Sequence, residues 1–176
     1  MSKDLPATLA AMKTLTAVLV LAVIAYAIPA HADATDTWWA AKVRQDYATE
    51  FKLLQPSADQ EGFIAEEELA DMYRFGRGVP QSDVEAARCY HKAADLGDPI
   101  AQDIIGILYV RGQGVPKDYV QAHMWFNLAA SGDSSSGQIR EDAIQLRDSL
   151  EQLMTPEQIA EAQKQTAAWR PISLAQ

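Results

Sequence analysis

Few side chains in this sequence have the type and spacing to do chemistry. They are one thiol (Cys89), the histidines His91 and His123, the carboxylate run Glu66-Glu67-Glu68, and the serine cluster Gly132-Asp133-Ser134-Ser135-Ser136-Gly137. Imidazoles would suit a transition metal, carboxylates calcium, and serines acyl transfer. Each set lacks its companions. No H-E-x-x-H occurs, so the two imidazoles would need carboxylates brought to them by folding; they read as surface or boundary histidines. The carboxylate run lacks the alternating oxygen ligands and the glycine of a calcium loop, and reads as a solvated helix start favoured by the helix dipole. The serine cluster resembles a nucleophile elbow with the wrong spacing and no strand before it, and reads as a flexible linker. An S-x-x-K motif is absent, the nearest approach being Thr49-Glu50-Phe51-Lys52. Gly76-Arg77-Gly78 and Gly112-Gln113-Gly114 lack the third glycine and the preceding strand of a dinucleotide loop, so they are turns. The reading is a chain without catalytic residues, cofactor or metal.

Composition narrows the classes further. The 176 residues suffice for one domain with a real core. Lys and Arg number 15 against 24 Asp and Glu, a net charge of −9, which excludes nucleic acid as a partner because phosphate binding needs clustered cations. A single cysteine excludes an intrachain disulfide and a thiolate zinc cluster. At 48% hydrophobic and 22% charged the chain is globular rather than disordered.

Behind Lys3 and Lys13, Thr14 to Ala30 runs seventeen residues without a charge. Pro29 closes the run, and Ala30-His31-Ala32 puts small side chains at the two positions a signal peptidase reads. This pattern predicts a secretory signal peptide over residues 1–32, cut between Ala32 and Asp33. The competing reading is a retained anchor, although a spanning helix wants about 20 apolar residues. Cleavage leaves 144 residues at −10, since Lys3, Lys13 and Asp4 depart together. The expected product is periplasmic or secreted, with no stable membrane insertion. Its unpaired Cys89 must then be buried against an oxidising compartment.

Sliding the remainder against itself gives an offset of 36 residues. Ala65, Tyr73, Gly76, Gly78, Val79, Pro80, Val84, Ala86, Ala93 and Ala94 recur 36 positions later. Those ten identities fall within thirty positions, where average residue usage gives about two. Each unit reads as two helices and a turn. Ile100, Ala101, Ile104, Ile105, Leu108 and Tyr109 form one helical stripe, Asp98-Pro99 starts it and Gly112 ends it. Ser82 with Glu85 and Asp118 with Gln121 have capping-box spacing at the same phase of both units. Gly106 costs about 1 kcal/mol inside a helix, so it implies close helix packing, with Ala70, Ala86, Ala93, Ala122 and Ala129. Cys89 occupies the repeat position of Trp125, which favours packing over a reactive thiol.

The pattern A-x-x-x-L-x-x-x-Y-x-x-G-x-G-V-P, continued by A-A-x-x-G-D, resembles the Sel-1-like repeat (SLR), a branch of the tetratricopeptide-like (TPR-like) solenoids. It is met at Ala65 to Asp98 and again at Ala101 to Asp133, the second unit one residue shorter before its glycine. The resemblance implies an all-α fold, an alpha-alpha superhelix or solenoid of about four stacked helical hairpins. The expected division is a signal peptide (1–32), capping helices with a degenerate half repeat (33–62), repeats at 63–98 and 99–133, and a C-terminal capping hairpin (134–176). Asp46 to Gly62 supplies the half repeat, with Pro56 expected to bend or interrupt it. Trp38 and Trp39 belong to a short cap, their alternative being an exposed aromatic patch. Ile139, Ala143, Leu146 and Leu150 mark a further helix, and Thr155-Pro156-Glu157-Gln158 starts the last.

First helices of stacked hairpins line the concave side. With Ala65, Leu69, Met72 and Tyr73 inward, Glu67, Asp71 and Arg74 form the opposite row, joined in the second unit by Asp103, Ile107 and Val110. These six are the candidate partner-binding residues, in a mixed acidic and apolar groove suited to a peptide with basic and aliphatic side chains. The alternative is that they merely face solvent. The resemblance implies a non-enzymatic protein–protein interaction scaffold or adaptor of the bacterial cell envelope, with a protein or peptide partner. Cysteine-rich SLR relatives linked to penicillin binding imply a second possibility, an envelope hydrolase or β-lactam-binding enzyme, but their paired cysteines are missing. A retained apolar start would imply a membrane-tethered assembly factor.

Overall fold

Asp46, Ser82 and Asp118, spaced 36 residues apart, each open a helix by accepting backbone N–H bonds on the side chain. Thr49 N donates to Asp46 Oδ1 at 3.2 Å and Glu85 N to Ser82 Oγ at 3.3 Å. Val120 N and Gln121 N donate to Asp118 Oδ1 at 2.9 and 3.1 Å. Each cap satisfies donors that the first helical turn leaves unpaired. The computed structural model describes residues 37–132 and 137–172. It contains α1 (Trp38–Val43), α2 (Tyr47–Glu61), α3 (Phe63–Phe75), α4 (Asp83–Asp95), α5 (Pro99–Arg111), α6 (Tyr119–Ser131), α7 (Gly137–Glu151) and α8 (Pro156–Ala168). Among the described residues there is no strand, and the chain is an all-helical solenoid in which α1 to α7 pack each on the next. The expected signal peptide with its Ala32–Asp33 cut, and the middle of the serine-rich linker, lie outside the described residues.

The glycine loops set how units stack. Gly76 and Gly112 end α3 and α5 in the left-handed region, at φ +66° and +67°, where an L side chain is strained. Two residues on, Gly78 and Gly114 approach the preceding unit. A Cβ on Gly78 would lie 2.4 Å from the Tyr47 carbonyl oxygen, and one on Gly114 2.0 Å from that of Asp83. Tyr47 and Asp83 are the first residues of α2 and α4. Each loop therefore seats on the start of the second helix one unit back, and α2 occupies a repeat's second-helix position in both phase and contact.

Inside the stack, Ala70, Ala86, Ala93, Ala122 and Ala129 are all buried, so backbones approach closely. Tyr90, Trp125 and Phe126 fill the space between units and are buried too. Cys89 is buried like its repeat counterpart Trp125. Pro56 does not interrupt α2, which runs unbroken to Glu61. The proline removes one N–H donor, whereas Leu54 on the same stretch is fully buried and anchors it.

The end of the chain departs from the hairpin pattern. Both α7 and α8 pack on α6, and neither makes comparable contact with the other. Thr155 and Gln158 form the reciprocal capping box that starts α8. From there α8 runs back over α6, where Gln121 Nε2 donates to Gln165 Oε1 at 2.8 Å. Trp169 sets its ring edge-on to Trp125 with centroids 6.2 Å apart, and Ile172 N donates to the Asp95 carbonyl at 2.8 Å. The tail thus straps the second helices of both repeats.

Candidate interaction site

The six candidate residues fall into two patches on α3 and α5. On α3, Asp71 accepts a hydrogen bond from the Tyr90 hydroxyl of α4, so it is committed to the core edge. Arg74 stacks over Phe75 at 5.3 Å from the ring centroid. Glu67 is half-buried, and its carboxyl is pushed up to about 7 by desolvation and then by the charges of Asp98, Asp71 and Glu68. The nearby Lys42 is engaged by Glu68.

On α5, Asp103, Ile107 and Val110 share one face and line two adjoining pockets that meet at Ile107, Leu146 and Ser149 and together form a cleft against α7. At one end Asp103 stands near Asp142. In the middle Ile107, Val110, Leu146 and Leu150 make apolar walls over Phe126, and at the far end Arg111 faces Leu153. The order of these neighbours shows that α5 and α7 run in the same direction. The apolar part has a volume of about 250 Å³. Asp103 Oδ1 is shielded from solvent and has no hydrogen-bond partner. Burial, then Asp142, push that carboxyl up to about 6, because a desolvated carboxylate beside a like charge resists ionisation.

Two sequence expectations need correction. The run at Glu66 to Glu68 is not a solvated helix start. Glu66 is buried and paired with Lys92 of α4 at 3.0 Å, and Glu68 pairs with Lys42 of α1. Lys92 from the adjacent α4 makes the burial of Glu66 tolerable, and Lys42 reaches Glu68 from α1, the helix before α2. His123 is not a surface or boundary residue but fully buried. Its two ring nitrogens are satisfied by Glu151 Oε1 at 2.7 Å and by the Asn127 side chain at 3.2 Å. His91 is half-buried, 3.0 Å from Asp95 Oδ2, with its ring against Trp125. No group of three or more His, Cys, Asp or Glu side chains among the described residues is arranged to hold a metal ion.

Sequence reasoning missed the α7 wall of the cleft. The periodic stripe of α7 identifies Ala143 and Leu150 as core, and both are buried. Which α5 residues Asp142, Leu146 and Leu153 face depends on helix placement, for which the sequence carries no signal.

Comparison with known proteins places these features. The family model for the Sel1 repeat matches residues 64–98 and 99–134. Among solved structures, c5321, a protective antigen present in uropathogenic Escherichia coli strains and displaying an SLR fold, superposes with a TM-score of 0.66 at 25% identity. The match covers 78% of this chain and 30% of that one, so the chain spans about a third of that relative's length. A Sel1 repeat protein from Oxalobacter formigenes matches with a TM-score of 0.45 at 24% identity, over 61% of this chain and 95% of that one. No curated protein matches the chain.

Proposed function

We propose that this chain, which carries two Sel1 repeats, is a non-catalytic adaptor of the bacterial cell envelope that docks a protein or peptide on the faces of α3 and α5. Sel1 repeats are generally protein-interaction scaffolds and non-catalytic. The adaptor role rests on one observation above all. Asp103 and Asp142 line the same cleft between α5 and α7, and no ion pair engages either carboxylate among the described residues. A fold that keeps such charges uncompensated gains when a complementary surface covers them. Envelope localisation is supported by the basic start, the charge-free run and the A-x-A sequence of residues 1–32. Among the described residues no helix is long and apolar enough to cross a membrane.

Site-specific photo-crosslinking in intact cells tests the reading. A crosslinker at Arg74 or Ile107 is expected to capture a specific protein, and one at exposed Lys164 on α8 is not. Equal capture at all three positions, or none, would remove the adaptor assignment. Intact mass of the isolated protein tests export. A product beginning at Asp33 is expected, whereas retention of residues 1–32 would favour the membrane-tethered reading that their apolar run also supports.

A further inference from the structure

Building on the adaptor reading, we infer that the cleft between α5 and α7 is a subsite for an amphipathic partner segment that inserts an aliphatic side chain among Ile107, Leu146 and Leu153 and places a lysine or arginine on Asp103 and Asp142. The apolar half of the occupant follows from the walls. Ile107, Val110, Leu146 and Leu150 line the cleft, and Leu153 at its mouth is 66% exposed. An aliphatic group there removes apolar surface from water on both partners.

The basic half follows from charge. Asp103 Oδ1 lacks a hydrogen-bond donor, and no ion pair engages Asp103 or Asp142 among the described residues. Asp142 accepts from the Gln138 side chain at 2.8 Å, which leaves its negative charge in place. An ammonium or guanidinium in the cleft supplies the missing counter-charge to Asp103 and Asp142. Arg111 at the opposite end disfavours a second cation there, so the cleft is electrically polar and sets one orientation. From Asp103 to Arg111 the α5 wall is about 12 Å long at the helical rise, enough for two turns of a docked helix with its anchors on one face. A second copy of this chain is a poorer occupant, because it brings a net charge of −9 to an acidic rim.

The test uses the full chain as isolated from cells and three fluorescein-labelled helical peptides. One carries leucines at i and i+4 with lysine at i+7, the second replaces lysine with glutamate, and the third replaces the leucines with serine. Fluorescence anisotropy is expected to show saturable binding of the leucine–lysine peptide and binding at least about tenfold weaker for the other two. Methyl NMR signals of Ile107, Leu146 and Leu153 should shift only with the first. Asp142→Lys, at an exposed position that leaves the core untouched, should reverse the order of the lysine and glutamate peptides. Leu153→Ser should weaken the leucine–lysine peptide. Equal binding of the lysine and glutamate peptides, or methyl signals that do not move, would overturn the subsite. So would sedimentation showing self-association that shifts the same methyls, since a second copy would then be the occupant. Peptide failure alongside specific crosslinks at Arg74 leaves the adaptor reading standing, whereas absence of any crosslink removes that reading itself.

Discussion

Gly106 of α5 lies directly under the ring of Phe126 of α6, so close that a Cβ on the glycine would stand 2.6 Å from Phe126 Cε1. The ring is buried and forms the floor of the α5–α7 cleft. One unit earlier the same two positions carry Ala70 and Tyr90, and that ring directs its hydroxyl to Asp71. The second repeat has exchanged a polar link for closer packing, and the cleft lies above that contact.

Replacing Gly106 by Ala should therefore destabilise the protein by about 1–2 kcal/mol, overpacking outweighing the roughly 1 kcal/mol gained in helix propensity. Urea unfolding measures it. Combined with Phe126→Leu, the alanine should cost less than it does alone, and simple additivity would show that the two residues are not coupled.

The loop glycines should separate by contact rather than by backbone angle. Gly114→Ala adds a Cβ 2.0 Å from a carbonyl oxygen at φ +72°, and should cost about 3 kcal/mol or more. Gly97, at φ +94° with its nearest atom 3.6 Å away on Pro171, should cost about 1–2 kcal/mol when changed to Ala, from backbone strain alone. Equal losses in denaturant would count against stacking of the loop on Asp83.

Cys89 should be almost inert to thiol reagents in the folded protein. Burial, and then the Glu66 charge, push the thiol up to about 12, which leaves roughly a thousandfold less thiolate than an ordinary cysteine. Labelling with a disulfide reagent should begin only as denaturant unfolds the chain. Rapid labelling under native conditions would contradict a packed role.

Stability should fall as pH rises from about 5 to about 8. Asp103 and Glu67 have folded values raised to about 6 and about 7, above those of unfolded carboxyls, so the folded state binds more protons across that window. Their stabilising contribution is complete below the unfolded values and is lost as pH passes the folded ones. His91, raised chiefly by its bond to Asp95, acts in the same direction. Thermal midpoints across this range check the sign, and Asp103→Asn with Glu67→Gln should flatten the slope.

Much of the architecture was legible because its determinants are local. A capping side chain acts within three residues, as at Asp118 and Gln121, and a left-handed glycine ends its own helix, as at Gly112. The six candidate residues were only partly legible. Asp103, Ile107 and Val110 share a helical face by spacing and do share a cleft. Asp71 belongs to the same pattern yet is taken by Tyr90, a partner nineteen residues away.

Helix ends, the 36-residue period and the phase of α2, α4 and α6 were written in the sequence alone, because each depends on side chains bonding to nearby backbone or recurring at fixed spacing. Tertiary structure decided the rest. It set α8 across α6 instead of beside α7, drew Lys42 and Lys92 onto Glu68 and Glu66 of α3, buried His123 between Glu151 and Asn127, and brought Asp142 to Asp103. These relationships join helices whose mutual angle is set by packing over the whole stack, and after Ser131 the repeat no longer supplies a template for that angle.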